Sequence, residues 1–211
     1  MAFSTWLAFF AAAWAISFAP GPGALCSMAS GLKYGYRQGF WTIFGLQAGI
    51  ICQLIIVAVG VGALLATSEI AFAVVKWTGA AYLVYLGVRQ FRTDAAPVAV
   101  AAKPREQAHP IREQLLHGYL VNITNPKGTM FLLAVVPQFL DVGRPLALQY
   151  TLIGATLCFT DLVAMSCYTS LASRILGLLR SPGHIRWLNR CFGSVFILAG
   201  TALAAFSRTS D

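Results

Sequence analysis

The first charged residue of this chain is Lys33, and after Arg37 no charge appears until Glu69. Charge-free stretches of this length constrain the fold more than any motif does. They cannot supply the surface of a water-soluble domain. A helix crossing the ~30 Å hydrocarbon core of a bilayer, by contrast, needs about 20 apolar residues at 1.5 Å each. The rest of the chain follows suit: 58% of its residues are apolar and 10% are charged, against roughly 25% charged in an ordinary globular protein. Mean hydropathy is +0.71. Most of the surface therefore faces lipid, and 211 residues hold roughly six or seven passes if loops are short.

Charges cut the sequence into six segments, at about 4–29, 40–66, 70–88, 116–140, 146–171 and 191–206. The expected fold is an all-α integral membrane protein with about six transmembrane helices, built as a single transmembrane domain over residues 1–211. Residues 89–113 form the one substantial loop; their centre is rich in Ala, Pro and Val and reads as a flexible connector. The apolar N-terminus lacks the basic region of a signal peptide and reads as an uncleaved first helix.

The net charge of +8 would suggest nucleic acid in a soluble protein. Here the basic residues lie in loops, where they set topology and meet anionic headgroups, so the bilayer is the expected partner and nucleic acid is not. Eleven of the fifteen basic residues fall in the 1–2 loop (Lys33, Arg37), the 3–4 loop (Arg89, Arg92, Lys103, Arg105, Arg112) and the 5–6 loop (Arg174, Arg180, Arg186, Arg190). The opposite side has Arg144 and Arg208. Odd-numbered loops are thus expected in the cytoplasm and both termini outside.

Five cysteines (Cys26, Cys52, Cys158, Cys167, Cys191) lie in or beside apolar segments without zinc or CxxC spacing, so neither a disulfide framework nor a metal site is expected. His109, His117 and His184 lie in or beside loops, without metal spacing. No serine or cysteine has a convincing base, and no Walker A loop is present. The chain is not expected to be an enzyme, to hold a cofactor or to drive pumping with ATP.

Two segments carry their own breaks. The first contains Ala19-Pro20-Gly21-Pro22-Gly23 and the fourth Thr124-Asn125-Pro126-Lys127-Gly128, preceded by Asn122. Prolines remove backbone donors, and in lipid an unsatisfied backbone is tolerated only against protein or a wet cavity. One such break reads as a simple kink. Two at matching places suggest a transporter whose discontinuous helices meet at a central site, with Pro20, Gly21, Pro22, Gly23, Asn125 and Pro126 along the path.

Asp161 is the one acid well inside a segment, and an isolated Asp there costs about 2.5–3.5 kcal/mol on insertion scales. Lys127 is its expected partner. Two compatible readings stay open: a structural pair joining segments four and five, or a site for substrate or proton. Gln47 and Gln53, six residues apart on segment two, face a cavity or bond another helix. Gly45 and Gly49 form GxxxG, which permits close helix approach. Lys76 reaches the outer interface by snorkelling, and Trp6, Trp41, Trp77 and Trp187 sit near segment ends as interface anchors.

Taken in order, several stretches resemble the LysE/RhtB family of bacterial amino-acid exporters. They are Pro20-Gly21-Pro22, the basic turn from Gly31 to Gly39, Gly79 to Gly87, Asn125-Pro126-Lys127, Val136-Pro137-Gln138-Phe139 and Leu188-Asn189-Arg190. The resemblance covers nearly the whole chain. It implies a six-helix fold of two inverted three-helix repeats in the bacterial inner membrane. It also implies secondary transport: amino acids or close derivatives leave the cell, coupled to the proton motive force, with a homo-oligomer left open. Thiol–disulfide electron carriers share the broad architecture but need a redox cysteine in each half; Cys26 follows the first break, while segment four has none.

Overall fold

The computed structural model describes residues 1–65, 69–92, 110–172 and 182–205. Among them the regular structure is helical, without a strand. The centre of the 89–113 connector, Arg174, Arg180, Arg208, His109 and the side chains of Lys76 and His184 lie outside the described residues.

Helix α1 (Phe3–Phe18) stops because Ala19 precedes a proline and takes an extended conformation, φ −68° and ψ 122°, as such residues do. Helix α2 (Pro22–Tyr34) restarts with Pro22 in its first turn, where the missing N–H costs nothing. The two are bent by 55°. The first segment is therefore two helices, and the second runs past the expected end at 29. Gly35 then turns the chain at φ 74°, a backbone that glycine adopts readily.

Helix α3 (Tyr36–Leu65) is 30 residues long, or about 45 Å. Helix α4 (Glu69–Arg92) follows. The fourth segment is again two helices, α5 (Ile111–Ile123) and α6 (Pro126–Val135), ending in a 3-10 turn at Val136–Phe139. Asn125 caps α6 by accepting from the Lys127 N–H at 3.1 Å, and Pro126 opens its first turn. Helix α7 spans Leu146–Ser170 and α8 Pro182–Ala205. The start of α8 lies nine residues before the expected 191, because Arg186 and Arg190 ride on helical turns where a hydropathy reading ends the segment.

Among the described residues two helices, α3 and α7, are long and apolar enough to cross a membrane, or three if bent α1–α2 is one span. Their outer faces are apolar: Ile56 is 61% exposed, Val59 72% and Leu148 72%. That is an inverted arrangement for water and the expected one for lipid.

The most extensive packing joins α3 to α5 and α4 to α8, while α7 lies against α1, α2 and α3. Backbones nearly touch at the first of these contacts. A Cβ on Gly45 would overlap the Leu115 carbonyl, and one on Gly118 the Thr42 carbonyl; small residues let helices approach this closely. Two apolar clusters result. One gathers Phe9, Leu54, Phe131, Val136 and Ile153; the other gathers Met28, Ile43, Leu46, Met165 and Tyr168. Along α1, Trp6, Phe10, Trp14 and Phe18 form a ladder of ring contacts, and Trp14 meets Phe159 of α7 edge-on at 6.2 Å.

Candidate functional site

The last carbonyls of a helix have no partner within it, and each break in this chain leaves such groups inside the protein. At the first break, the Tyr168 hydroxyl donates to Phe18 O and the Lys127 ammonium to Ala19 O, both at 2.7 Å. Cations also suit a helix C-terminus because of its negative dipole end. At the second break, Gln53 Nε2 donates to Asn122 O at 2.8 Å and to Thr129 Oγ1 at 2.7 Å, with Ile123 O and Asn125 O at 3.4 and 3.3 Å. The Asn122 amide in turn donates to Leu46 O at 2.7 Å. Side chains from distant helices thus satisfy backbone that the breaks set free.

A cavity of about 70 Å³ lies between the breaks, lined in part by Gly21, Gly23, Gln53, Asn125, Lys127 and Asp161. Asp161 on α7 accepts from Gln47 Nε2 of α3 at 2.7 Å. Immediately before Asp161, Thr160 shares a 3.1 Å hydrogen bond with Ser17 of α1. Asp161 and Lys127 face this cavity together, close enough for their charges to act on each other. Six of the ten residues singled out from sequence therefore line one space. Pro20, Pro22 and Pro126 flank it, and Gln47 reaches it through Asp161. Gln53 both faces the cavity and bonds another helix.

A second cavity, of about 360 Å³, is lined by Cys26, Ser30, Lys33, Thr42, Glu113 and His117, among others. These residues adjoin the basic 1–2 and 3–4 loops. Among the described residues no group of three or more His, Cys, Asp or Glu gathers as a metal site would require.

Sequence reasoning missed Tyr168, Ser17 and Thr160. Each is an ordinary residue of an apolar helix, and only its distance from a broken end gives it a role. It also read Trp6 as an interface anchor alone, whereas the indole N–H donates to Thr156 at 3.1 Å.

The sequence profile described as LysE type translocator matches residues 14–206. A homoserine/homoserine lactone efflux protein of Salmonella typhi is 37% identical, over 97% of this chain and 98% of that protein. An uncharacterized membrane protein of Vibrio cholerae is 41% identical, over 94% and 96%. A leucine efflux protein of Enterobacter is 24% identical, over 90% of each. No solved structure matches. The chain belongs to the LysE type translocator family, and is a membrane transporter rather than an enzyme.

Proposed function

We propose that this transporter exports amino acids or close derivatives from the bacterial cytoplasm across the inner membrane, in exchange for protons. The observation that carries the reading is the meeting of two broken helices at a cavity faced by one cation and one anion, Lys127 and Asp161. A zwitterion has the complementary pair, a carboxylate for the lysine and an ammonium for the aspartate. The relatives named for efflux of homoserine, homoserine lactone and leucine point the same way.

At about 70 Å³ the cavity has room for a few waters, each taking ≈30 Å³ of liquid, and is too small for an amino acid. Transport then requires the walls to part. The breaks at Pro20 to Gly23 and at Asn125-Pro126 are where helices move without losing internal hydrogen bonds.

The same reading arranges the chain as one transporter domain over residues 1–211, with six spans in two inverted repeats and the 89–113 connector in the cytoplasm. Three observations support the repeat. The breaks fall at matching places; α3 packs on α5 and α6 as α7 packs on α1 and α2; and α4 pairs with α8. The last pair meets through Gly87 and Gly193, each too close to the other's carbonyl to admit a side chain. The loop charges support outward termini.

Proton coupling follows from competition for one carboxylate. While Asp161 holds the substrate ammonium it cannot hold a proton. After release outside it takes one up, and it gives that proton up to the cytoplasm. One charge moving through the whole field gains about 2.3 kcal/mol per 100 mV, enough to drive export uphill.

Everted vesicles containing the transporter test this. Given an imposed proton gradient, acid inside, they should accumulate radiolabelled homoserine or leucine above the level of control vesicles, and an uncoupler should release it. No accumulation of any amino acid tested would overturn the reading.

A further inference from the structure

Gln53 sits 3% exposed with its amide nitrogen turned to three backbone carbonyls and the Thr129 hydroxyl. Carbonyls only accept, so the side-chain orientation is settled by its neighbours: the donor end faces the second helix break. The oxygen, Oε1, must then point the other way. It is buried and accepts no hydrogen bond from any described residue, although Gln53 lines the cavity that Lys127 and Asp161 share. A buried acceptor left unmet costs about 1–3 kcal/mol, so its persistence calls for a donor that arrives from outside the protein.

Gly128 lies beside this oxygen. An added Cβ there would meet the Gln53 amide first, with Oε1 nearest at 3.1 Å. No helix packs against Gly128 closely enough to require a glycine. On the same cavity, Asp161 is the other acceptor, its carboxylate held in place by Gln47. The donors there are already engaged in part: the Lys127 ammonium bonds Ala19 O. Of the groups on this cavity, Gln53 Oε1 is the buried acceptor without a partner among the described residues, and Asp161 is the charged acceptor.

We propose that Gln53 Oε1 and the Asp161 carboxylate together hold the ammonium group of the transported substrate, so that the site selects primary amines over N-alkylated ones. This rests on the export reading in taking the cavity as the place where substrate binds. A primary ammonium has three N–H donors and serves both acceptors. An N,N-dimethylated amino acid has one, and can serve only one of them.

The test measures binding to the purified full chain, with radiolabelled homoserine and leucine as probes, in competition with unlabelled leucine and N,N-dimethylleucine. The dimethyl compound should compete about tenfold more weakly with the wild type, the equivalent of one lost hydrogen bond to a buried group. In Gly128→Ala the new methyl covers Oε1, so leucine itself should weaken and the difference between the two competitors should fall towards unity. Equal competition in the wild type would overturn the proposal. So would a difference that persists in Gly128→Ala, or failure of both probes to bind. The wild-type comparison needs no variant. Selective binding to a protein that exports nothing in everted vesicles would remove the export reading and leave the amine site standing.

Discussion

Lys127, in the first turn of α6, donates from its ammonium to the carbonyl of Ala19 at 2.7 Å, joining two helix breaks that lie 108 residues apart in sequence. A cation at the N-terminal end of its own helix is unfavourable with respect to that helix's dipole; at the C-terminal end of α1 it is favourable. The side chain therefore acts across the protein and not along its own helix. Replacing it by Met keeps the aliphatic bulk and leaves the Ala19 carbonyl without this donor. Lys127→Met should lose about 1–3 kcal/mol of stability, read as a lower melting temperature of the purified protein, and export should fall at least tenfold. Unchanged melting together with normal export would make the contact incidental.

The first break is tested by removing its prolines. Pro20→Ala with Pro22→Ala restores two N–H donors and lets α1 and α2 propagate as one helix. The 55° bend should straighten and carry Gly21 and Gly23 away from the cavity. Inserted protein with export below a tenth of normal is the expected result in vesicles. Normal efflux would reduce the break to an ordinary kink.

Gly118 offers a purely structural test. Its Cα lies against the Thr42 carbonyl, where even a methyl group would overlap backbone. Gly118→Leu must push α5 away from α3, at a cost of 1–3 kcal/mol or more. Membrane yield and melting temperature should both drop. The same substitution at Gly60, which has nothing within 4 Å, should leave them unchanged.

Coupling is tested at Asp161. Asp161→Asn keeps the size and can still meet Gln47, but it neither titrates nor carries charge. It should insert normally and lose uphill export, while exchange down a gradient survives at a reduced rate. If Lys127 and Asp161 serve only as a structural pair, neutralising both should restore export that either single change abolishes. Uphill, uncoupler-sensitive export by Asp161→Asn would take this residue out of the proton path.

Topology is checked with reporter fusions. Those in the 1–2, 3–4 and 5–6 loops should report cytoplasm, since these loops hold eleven of the fifteen basic residues. Fusions beside Asp141 and at the C-terminus should report outside. A cytoplasmic C-terminus would reverse the assigned orientation.

Much of this protein was legible without coordinates because lipid simplifies the problem. Charge-free runs had to be helical spans, and proline-glycine clusters inside them had to be breaks, since hydrocarbon offers no partner for loose backbone. Asp161 and Lys127 stood out for the same reason: a charge in such a run needs company. Where the helices end was less legible. The outer turns of α8 carry arginines and continue helical beyond the apolar stretch, because helix formation obeys backbone hydrogen bonding and not hydropathy.

Residue type and order alone determined that this chain lives in a membrane, that two of its segments are broken by proline, and which charges lie inside those segments. Only the tertiary structure decided what those features do to one another. That Lys127 caps α1, that Tyr168 caps its neighbouring carbonyl, and that Gln53 spends its nitrogen on the second break are relations between residues 69 to 150 positions apart. A hydrogen bond depends on distance and direction in space, over about 3 Å, and no periodicity in a sequence records which turn of one helix comes to rest against which turn of another.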